Sequence, residues 1–108
     1  MSELPSHIQT DPQGYLLDAN QWDESIAEII AQQEGIELND DHWQVIKYVR
    51  QFYEEFETSP SIRPLVKYLG TVLPAEKANS LFLQILFPEG PAKQATKIAG
   101  LPKPARCT

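Results

Sequence analysis

The residue with the clearest chemical potential in this chain of 108 residues is its only cysteine, Cys107, one position before the last residue. The thiolate is the nucleophilic form of cysteine, and neighbouring cations favour it over the thiol. Arg106 is adjacent and Lys103 lies four residues earlier, whereas the carboxylate of Thr108 has the opposite effect. These charges therefore predict at most a small bias toward the thiolate.

The segment that carries Cys107, GLPKPARCT at 100–108, is predicted to be a flexible and extended arm. Pro102 and Pro104 fix φ and remove two backbone donors, so the centre of the segment cannot be helical. At about 3 Å per residue the arm would hold the sulfur some 20 Å from its last anchored point. Two interpretations stay open here: an incidental thiol on a disordered chain end, or a thiol presented for exchange.

Length and composition predict a single domain, residues 1–108, with one core. No apolar run approaches the roughly 20 residues that span a bilayer, and the start of the chain lacks the features of a signal peptide. We therefore expect a cytoplasmic protein without membrane contact. One cysteine cannot form an internal disulfide, and in a reducing compartment its thiol stays available.

Charge is distributed unevenly along the chain. Residues 1–87 hold five Lys/Arg and fourteen Asp/Glu, whereas residues 88–108 hold four Lys/Arg and one Glu. The acidic body argues against direct, tight nucleic-acid binding because phosphates are repelled. The basic tail predicts docking into an acidic pocket, either on this protein or on a partner.

The hydrophobic pattern predicts a mainly α protein, a small bundle of about five helices. Asp11-Pro12-Gln13-Gly14 is a turn sequence between two short extended runs, which predicts an N-terminal β-hairpin over 7–17. Asn20, Asn39 and Ser61 are candidate helix caps. The predicted helices are 21–33, 40–56, 62–69, 75–86 and 91–99, and the longest of them, 40–56, is expected to lie at the centre of the core.

No self-contained enzyme is visible in the sequence. His7 and His42 have neither a nucleophile at a known spacing nor a second metal ligand nearby. The adjacent carboxylates at 40–41 and 54–55 are typical of solvated helix faces. A helix-turn-helix over 61–86 would lack a basic recognition face. We therefore expect no metal, and no cofactor other than an intermediate on the cysteine itself.

Three segments resemble the DsrC/TusE family of small sulfur carriers. They are GYLLDANQW at 14–22, EGIELNDDHWQVIKYVRQFYEEFETSPSIRPLVK at 34–67, and GPAKQATKIAGLPKPARCT at 90–108. The resemblance covers nearly the whole chain and implies a DsrC-like fold. It also implies that Cys107 carries sulfur as a persulfide, as a sulfurtransferase-type carrier.

One position separates the two branches of this family. DsrC proteins have a second cysteine eleven residues before the penultimate one, where this chain has Thr96. The chain thus resembles the TusE branch. That branch implies a relay in which a TusBCD-like complex, supplied through TusA, loads the carrier, and an MnmA-like thiouridylase uses the sulfur for 2-thiolation of the tRNA wobble uridine. The alternatives are a DsrC-like partner of dissimilatory sulfite reductase and a non-catalytic interaction module.

Five basic residues form a weaker hypothesis, as groups that guide partner docking or favour the sulfur anion. Ordinary solvated cations are the competing interpretation. The five are Arg63, Lys93, Lys97, Lys103 and Arg106.

Overall fold

The computed structural model describes residues 4–103, and helices dominate that range. A short 3-10 turn, Ala19–Gln21, precedes five α-helices. These are α1 (Glu24–Gln33), α2 (Asp40–Phe56), α3 (Ile62–Leu69), α4 (Ser80–Leu86) and α5 (Pro91–Ile98). The predicted mainly α architecture with five helices is confirmed. No helix in this range is both long and apolar enough to cross a membrane.

The last helix, α5, occupies the centre of the core. It contacts each of the other four helices, whereas α2 packs chiefly against α5 and α3. Small side chains make this position feasible, because Ala92 and Ala95 are buried and let neighbouring helices approach closely. Pro91 opens α5 at its first position, where a missing N–H costs nothing. The segment that leads into the arm is therefore anchored by the whole bundle.

Helix α2 begins and ends where the sequence predicts. The Asn39 side chain accepts hydrogen bonds from the N–H groups of Asp41 and His42, and His42 Nδ1 accepts one from the N–H of Asn39. This reciprocal cap satisfies donors that a helix N-terminus otherwise leaves unpaired. The helix ends at Phe56, and Glu57 adopts a left-handed conformation with φ of 54°.

His42 has a structural role in addition to this cap. Its ring is buried, and Nε2 lies 2.8 Å from the carbonyl oxygen of Leu86. Since Nδ1 accepts a hydrogen bond, Nε2 carries the hydrogen and donates it to Leu86. The ring also packs edge-on against Phe87 at 5.2 Å. Residues 4–103 contain no group of three side chains able to hold a metal ion.

Two helices begin later than predicted because different residues cap them. Helix α1 starts at Glu24, since the Asp23 side chain, rather than that of Asn20, accepts from the first turn. Helix α4 starts at Ser80, where the Asn79 side chain is the cap. A capping side chain fixes the first helical residue more strongly than the apolar pattern does.

The predicted N-terminal β-hairpin is wrong. Within residues 4–103 there is no strand, only one isolated antiparallel bridge between Thr10 and Leu16. The Asp11 carboxylate accepts hydrogen bonds from the N–H groups of Gln13 and Tyr15, at 2.8 and 3.0 Å. Two backbone hydrogen bonds flank the bridge, from the N–H of Asp11 to the carbonyl of Tyr15 at 2.8 Å and from the N–H of Leu17 to that of Gln9 at 3.0 Å. The segment is therefore a turn closed by one bridge and not a pair of strands.

Candidate functional site

The candidate site lies where the C-terminal arm leaves the bundle. Cys107 and Arg106 fall outside the described residues, so the role assigned to each stays a prediction. The structure does describe the arm root, defined here as residues 98–103. Its contacts determine from where on the body the arm can present a sulfur atom.

The chain reverses direction at the end of α5 around Gly100. The N–H of Gly100 donates to the carbonyl of Lys97, and the N–H of Leu101 donates to that of Thr96. This pair of hydrogen bonds is the Schellman arrangement, which requires a left-handed residue, and Gly100 has φ of +72°. Leu101 is buried directly after it, which seals the helix end against the core.

Trp22 packs against this reversal. Its indole Nε1 donates a 2.8 Å hydrogen bond to the carbonyl oxygen of Ile98. The ring lies so close to Gly100 that a Cβ atom there would overlap three Trp22 atoms. Glycine is therefore needed at position 100 for two separate reasons, the backbone conformation and the space.

Arg50 joins the same cluster from α2. Its guanidinium lies over the Trp22 ring, 4.2 Å from the centroid, and Nη1 donates to the carbonyl of Ala99. Nη2 donates to the carbonyl of Ala19 at 3.3 Å. Burial lowers the pKa of Arg50 from its ordinary value, and the charge of Glu54 opposes that change. An arginine stays protonated under such conditions, so one cation links the 3-10 turn, α2 and the arm root.

Ser59 holds the arm root further along the chain. This serine is buried just after α2, and its hydroxyl donates to the carbonyl oxygen of Pro102. The contacts of the arm root therefore extend to Pro102. From Pro102 to Cys107 the chain advances by five residues, which can span at most about 18 Å. This limit is shorter than the length estimated for an arm free from Gly100 onward.

Sequence reasoning missed Trp22, Arg50 and Ser59 as parts of the site. A local signal exists for Arg50, which follows Trp43 and Ile46 on the apolar stripe of α2 at helical spacing. A cationic side chain on the apolar stripe of a helix indicates that nearby hydrogen-bond acceptors replace its hydration. The partners themselves could not be read from the sequence, because Ala19 and Ala99 are 31 and 49 residues away.

Three of the five predicted basic residues lie together. Lys93, Lys97 and Lys103 line one cleft of about 280 Å³, with Glu34 and Glu89 also in its wall. The cleft thus brings together cations from α5 and the arm root. Its two carboxylates make the charge mixed rather than purely positive.

The cations of this cleft differ in how they are used. Lys97 pairs with Glu34 at 3.2 Å, and its ammonium lies 5.2 Å from the centroid of the Tyr15 ring. Lys93 and Lys103 form no ion pair with any residue in the described part of the chain. Lys97 therefore has a structural contact, while the other two remain available for an anion. Arg63 lies in a separate groove on α3.

Thr96 is completely buried in α5, and its hydroxyl has no hydrogen-bond partner among residues 4–103. An unpaired buried hydroxyl loses hydration without compensation. The contacts within residues 4–103 thus give no hydrogen-bonding reason for a hydroxyl at this position. With Cys107 as the only cysteine, the chain has no second thiol here or elsewhere.

The cluster at Gly100 generates a prediction with a matched control. Gly100 and Gly35 have nearly the same φ, +72° and +75°, but a Cβ at Gly35 would meet nothing within 4 Å. We expect Gly35→Ala to lower the free energy of unfolding by about 1 kcal/mol, the cost of the left-handed conformation. Gly100→Ala should cost about 3 kcal/mol or more, because the Trp22 ring must also move. Urea unfolding followed by circular dichroism measures both.

A double variant tests the cause. In a Trp22→Ala background the overlaps with Cδ1 and Cγ are removed while the one with Cβ stays, so the additional cost of Gly100→Ala should fall but remain above that of Gly35→Ala. Equal costs for the two glycine substitutions in the otherwise native chain would contradict the close approach of Trp22.

Comparison with known proteins adds the family. The model of the family described as DsrC like protein matches residues 5–108. The sulfurtransferase TusE homolog of Haemophilus influenzae is 62% identical over 100 residues, which cover 93% of this chain and 92% of that protein. The sulfurtransferase TusE of Escherichia coli is 57% identical with the same coverage. These relatives support a role in sulfur transfer.

Solved structures of DsrC proteins have the same fold as this chain. The NMR structure of Allochromatium vinosum DsrC superposes with a TM-score of 0.84 at 44% identity, covering 94% of this chain and 90% of that one. The crystal structure of the oxidized gamma-subunit of dissimilatory sulfite reductase (DsrC) from Archaeoglobus fulgidus gives 0.79 at 38% identity, covering 94% and 92%. The predicted DsrC-like fold is confirmed. With the family model and both curated relatives matching more than nine-tenths of its length, the chain belongs to the DsrC-like protein family.

Proposed function

We propose that this protein is a sulfur carrier of the TusE type. It accepts sulfur as a persulfide on Cys107 from a TusBCD-like donor complex and passes it to an MnmA-like thiouridylase, which uses it for 2-thiolation of the tRNA wobble uridine. The observation that carries the proposal is the 57–62% identity to curated TusE sulfurtransferases over 93% of the chain. The single cysteine and the anchored arm root are compatible with it.

The two sulfur transfers in which the carrier takes part need no added oxidant or reductant. In loading, the thiolate of Cys107 attacks the outer sulfur of a donor persulfide, the donor's S–S bond breaks, and its electron pair leaves on the inner sulfur as a thiolate. In delivery, a thiolate of the acceptor attacks the outer sulfur, the S–S bond to Cys107 breaks, and its electron pair leaves on the sulfur atom of Cys107 as a thiolate. The sulfane sulfur keeps its oxidation level in both steps, and the carrier is regenerated.

The absence of a second cysteine supports transfer to another protein. A persulfide on Cys107 meets no other thiol in this chain, since the sequence has Thr96 where DsrC proteins have cysteine. A hydroxyl cannot displace the sulfur as a thiolate can. The sulfur therefore leaves only when an external thiol reaches it.

The contacts of the arm root suit a carrier. The carbonyls of Ile98, Ala99 and Pro102 are held by Trp22, Arg50 and Ser59. With the root held, the thiol searches a volume limited by five residues of chain, which raises its effective concentration at a partner docked on the body. In this proposal Lys93, Lys103 and Arg106 favour the persulfide anion near the root, and Arg63 contributes to docking.

The charge of the body supports delivery to a protein rather than directly to RNA. Residues 1–87 carry an excess of nine negative charges, fourteen acidic against five basic residues. Such a surface repels tRNA phosphates. The thiouridylase therefore binds the tRNA, and the carrier meets the enzyme.

A second candidate is a DsrC-like partner of dissimilatory sulfite reductase. The TM-scores of 0.84 and 0.79 to DsrC structures favour it. Thr96 disfavours it, because two-cysteine chemistry is unavailable. A non-catalytic interaction module is distinguished from both by not requiring the thiol.

The central test is replacement of the thiol. Cys107→Ser should leave the unfolding curve unchanged and abolish the mass gain of one sulfur atom on incubation with persulfidated donor complex. The neighbouring substitution Ala105→Ser is the control and should load normally. Undiminished loading of Cys107→Ser, measured by intact-protein mass spectrometry, would exclude Cys107 as the carrier.

The cations of the cleft are tested separately. Lys93→Gln combined with Lys103→Gln should slow loading by roughly three- to tenfold at low salt, with the difference shrinking as the salt concentration rises. Lys47→Gln, an exposed lysine on α2, is the matched control. Transfer at the native rate at every salt concentration would show that Lys93 and Lys103 are ordinary solvated cations.

A further inference from the structure

A groove on the outer side of α3 combines apolar and basic side chains. Its volume is about 420 Å³, and Ser80 at the start of α4 forms part of its wall. The α3 side chains lie one and four positions apart, which places them on one face of the helix, while Leu65 and Leu69 face the core. The α3 residues that line it are Ile62, Arg63, Val66 and Lys67.

Helix α4, whose first residue Ser80 borders the groove, exposes two apolar residues. Leu81 directly follows Ser80, and Ile85 lies one turn further along the same face. They are 73% and 70% exposed, the highest values among the large exposed hydrophobic residues in the described part of the chain. Since Leu83 and Leu86 already pack into the core, α4 has a second apolar face. We call these two residues and the groove the α3–α4 surface.

The charge of the α3–α4 surface is opposite to that of the body. Arg63 and Lys67 form no ion pair with any residue from 4 to 103, whereas Lys77 pairs with Asp41 and Lys97 with Glu34. No carboxylate lines the groove. Two of the five basic residues among the first 87 thus lie beside the partly buried side chains of Ile62 and Val66 without an ion pair to residues 4–103, although the first 87 residues hold fourteen acidic ones. Such a surface selects an acidic partner with an apolar face.

We propose that the α3–α4 surface docks the sulfur donor through an acidic amphipathic helix of that partner. The helix places apolar side chains on Leu81 and Ile85 and carboxylates near Arg63 and Lys67, a helix-in-groove contact. This inference rests on the proposed carrier function.

The charges assign the surface to the donor rather than the acceptor. An acceptor that holds tRNA must present positive charge to the phosphates. Such a protein is attracted by the acidic remainder of the body and repelled by Arg63 and Lys67. The donor handles no RNA in this scheme and is free to be acidic at its contact.

The experiment is single-turnover sulfur transfer from the purified, persulfidated donor complex to the full-length chain, at increasing donor concentration. Arg63→Glu combined with Lys67→Glu should raise the half-saturating donor concentration by at least about tenfold. The limiting rate should stay within about twofold, because the reacting sulfur atoms are unchanged. Leu81→Ser combined with Ile85→Ser should show the same pattern through loss of apolar contact.

Matched variants separate docking from general effects of charge and polarity. Lys47→Glu makes the same charge change on α2, and Leu17→Ser makes the same polarity change at another exposed residue. Both controls should keep the native half-saturation. Arg63→Lys keeps the positive charge, so its half-saturating donor concentration should stay close to native. Urea unfolding of Arg63→Glu should match that of the native chain, which separates loss of docking from loss of a folded α3.

Loading of each variant with inorganic polysulfide distinguishes this proposal from the carrier function. If the native chain takes up no sulfur on Cys107 from either source, the carrier function fails. If polysulfide loads all variants and the half-saturation for the donor is the same in all, only the docking proposal fails. A shift confined to the acceptor step would also overturn it. So would a native dimer, seen by sedimentation, that the Arg63 and Lys67 substitutions dissociate, because the occupant would then be a second copy.

Discussion

The stacking of the Arg50 guanidinium on Trp22, whose ring in turn lies against Gly100, is the contact on which the position of the arm root depends. A partly buried cation is tolerated only where polar groups replace its hydration, and the carbonyls of Ala19 and Ala99 do so. One side chain thereby joins three segments that are distant in the sequence. Removing the Arg50 side chain would leave the carbonyls of Ala19 and Ala99 without their hydrogen-bond donor and would expose the face of the Trp22 ring.

This cluster links the core to the arm root. Because α5 contacts all four other helices, the point at which the chain leaves α5 is fixed by the packing of the whole bundle. Trp22, Arg50 and Ser59 then extend that fixation to Pro102. A carrier must be reached by two partners in turn, and a short tether on a rigid base meets that requirement better than a long free tail.

Features set by neighbouring residues were predictable from the sequence, and features set by distant contacts were not. The Asn39 cap is local, so the start of α2 was predicted correctly. The hairpin prediction failed because pairing beside the turn at Asp11 extends no further than the Thr10–Leu16 bridge. The acceptors of Arg50 lie far away in the sequence. Helix α4 has two apolar faces in its sequence, one with Leu81 and Ile85 and one with Leu83 and Leu86. Periodicity alone cannot tell which of the two faces meets the core.

The most direct measurement follows one labelled sulfur atom through a reconstituted relay of donor complex, carrier, thiouridylase and tRNA. Peptide mass spectrometry and nucleoside analysis would be sampled along the same time course. We predict that the label appears first on the peptide that contains Cys107 and then declines there as labelled 2-thiouridine forms. Labelled tRNA that forms without label ever passing through Cys107, or label that stays on Cys107 while thiouridylase and tRNA are present, would contradict a carrier role.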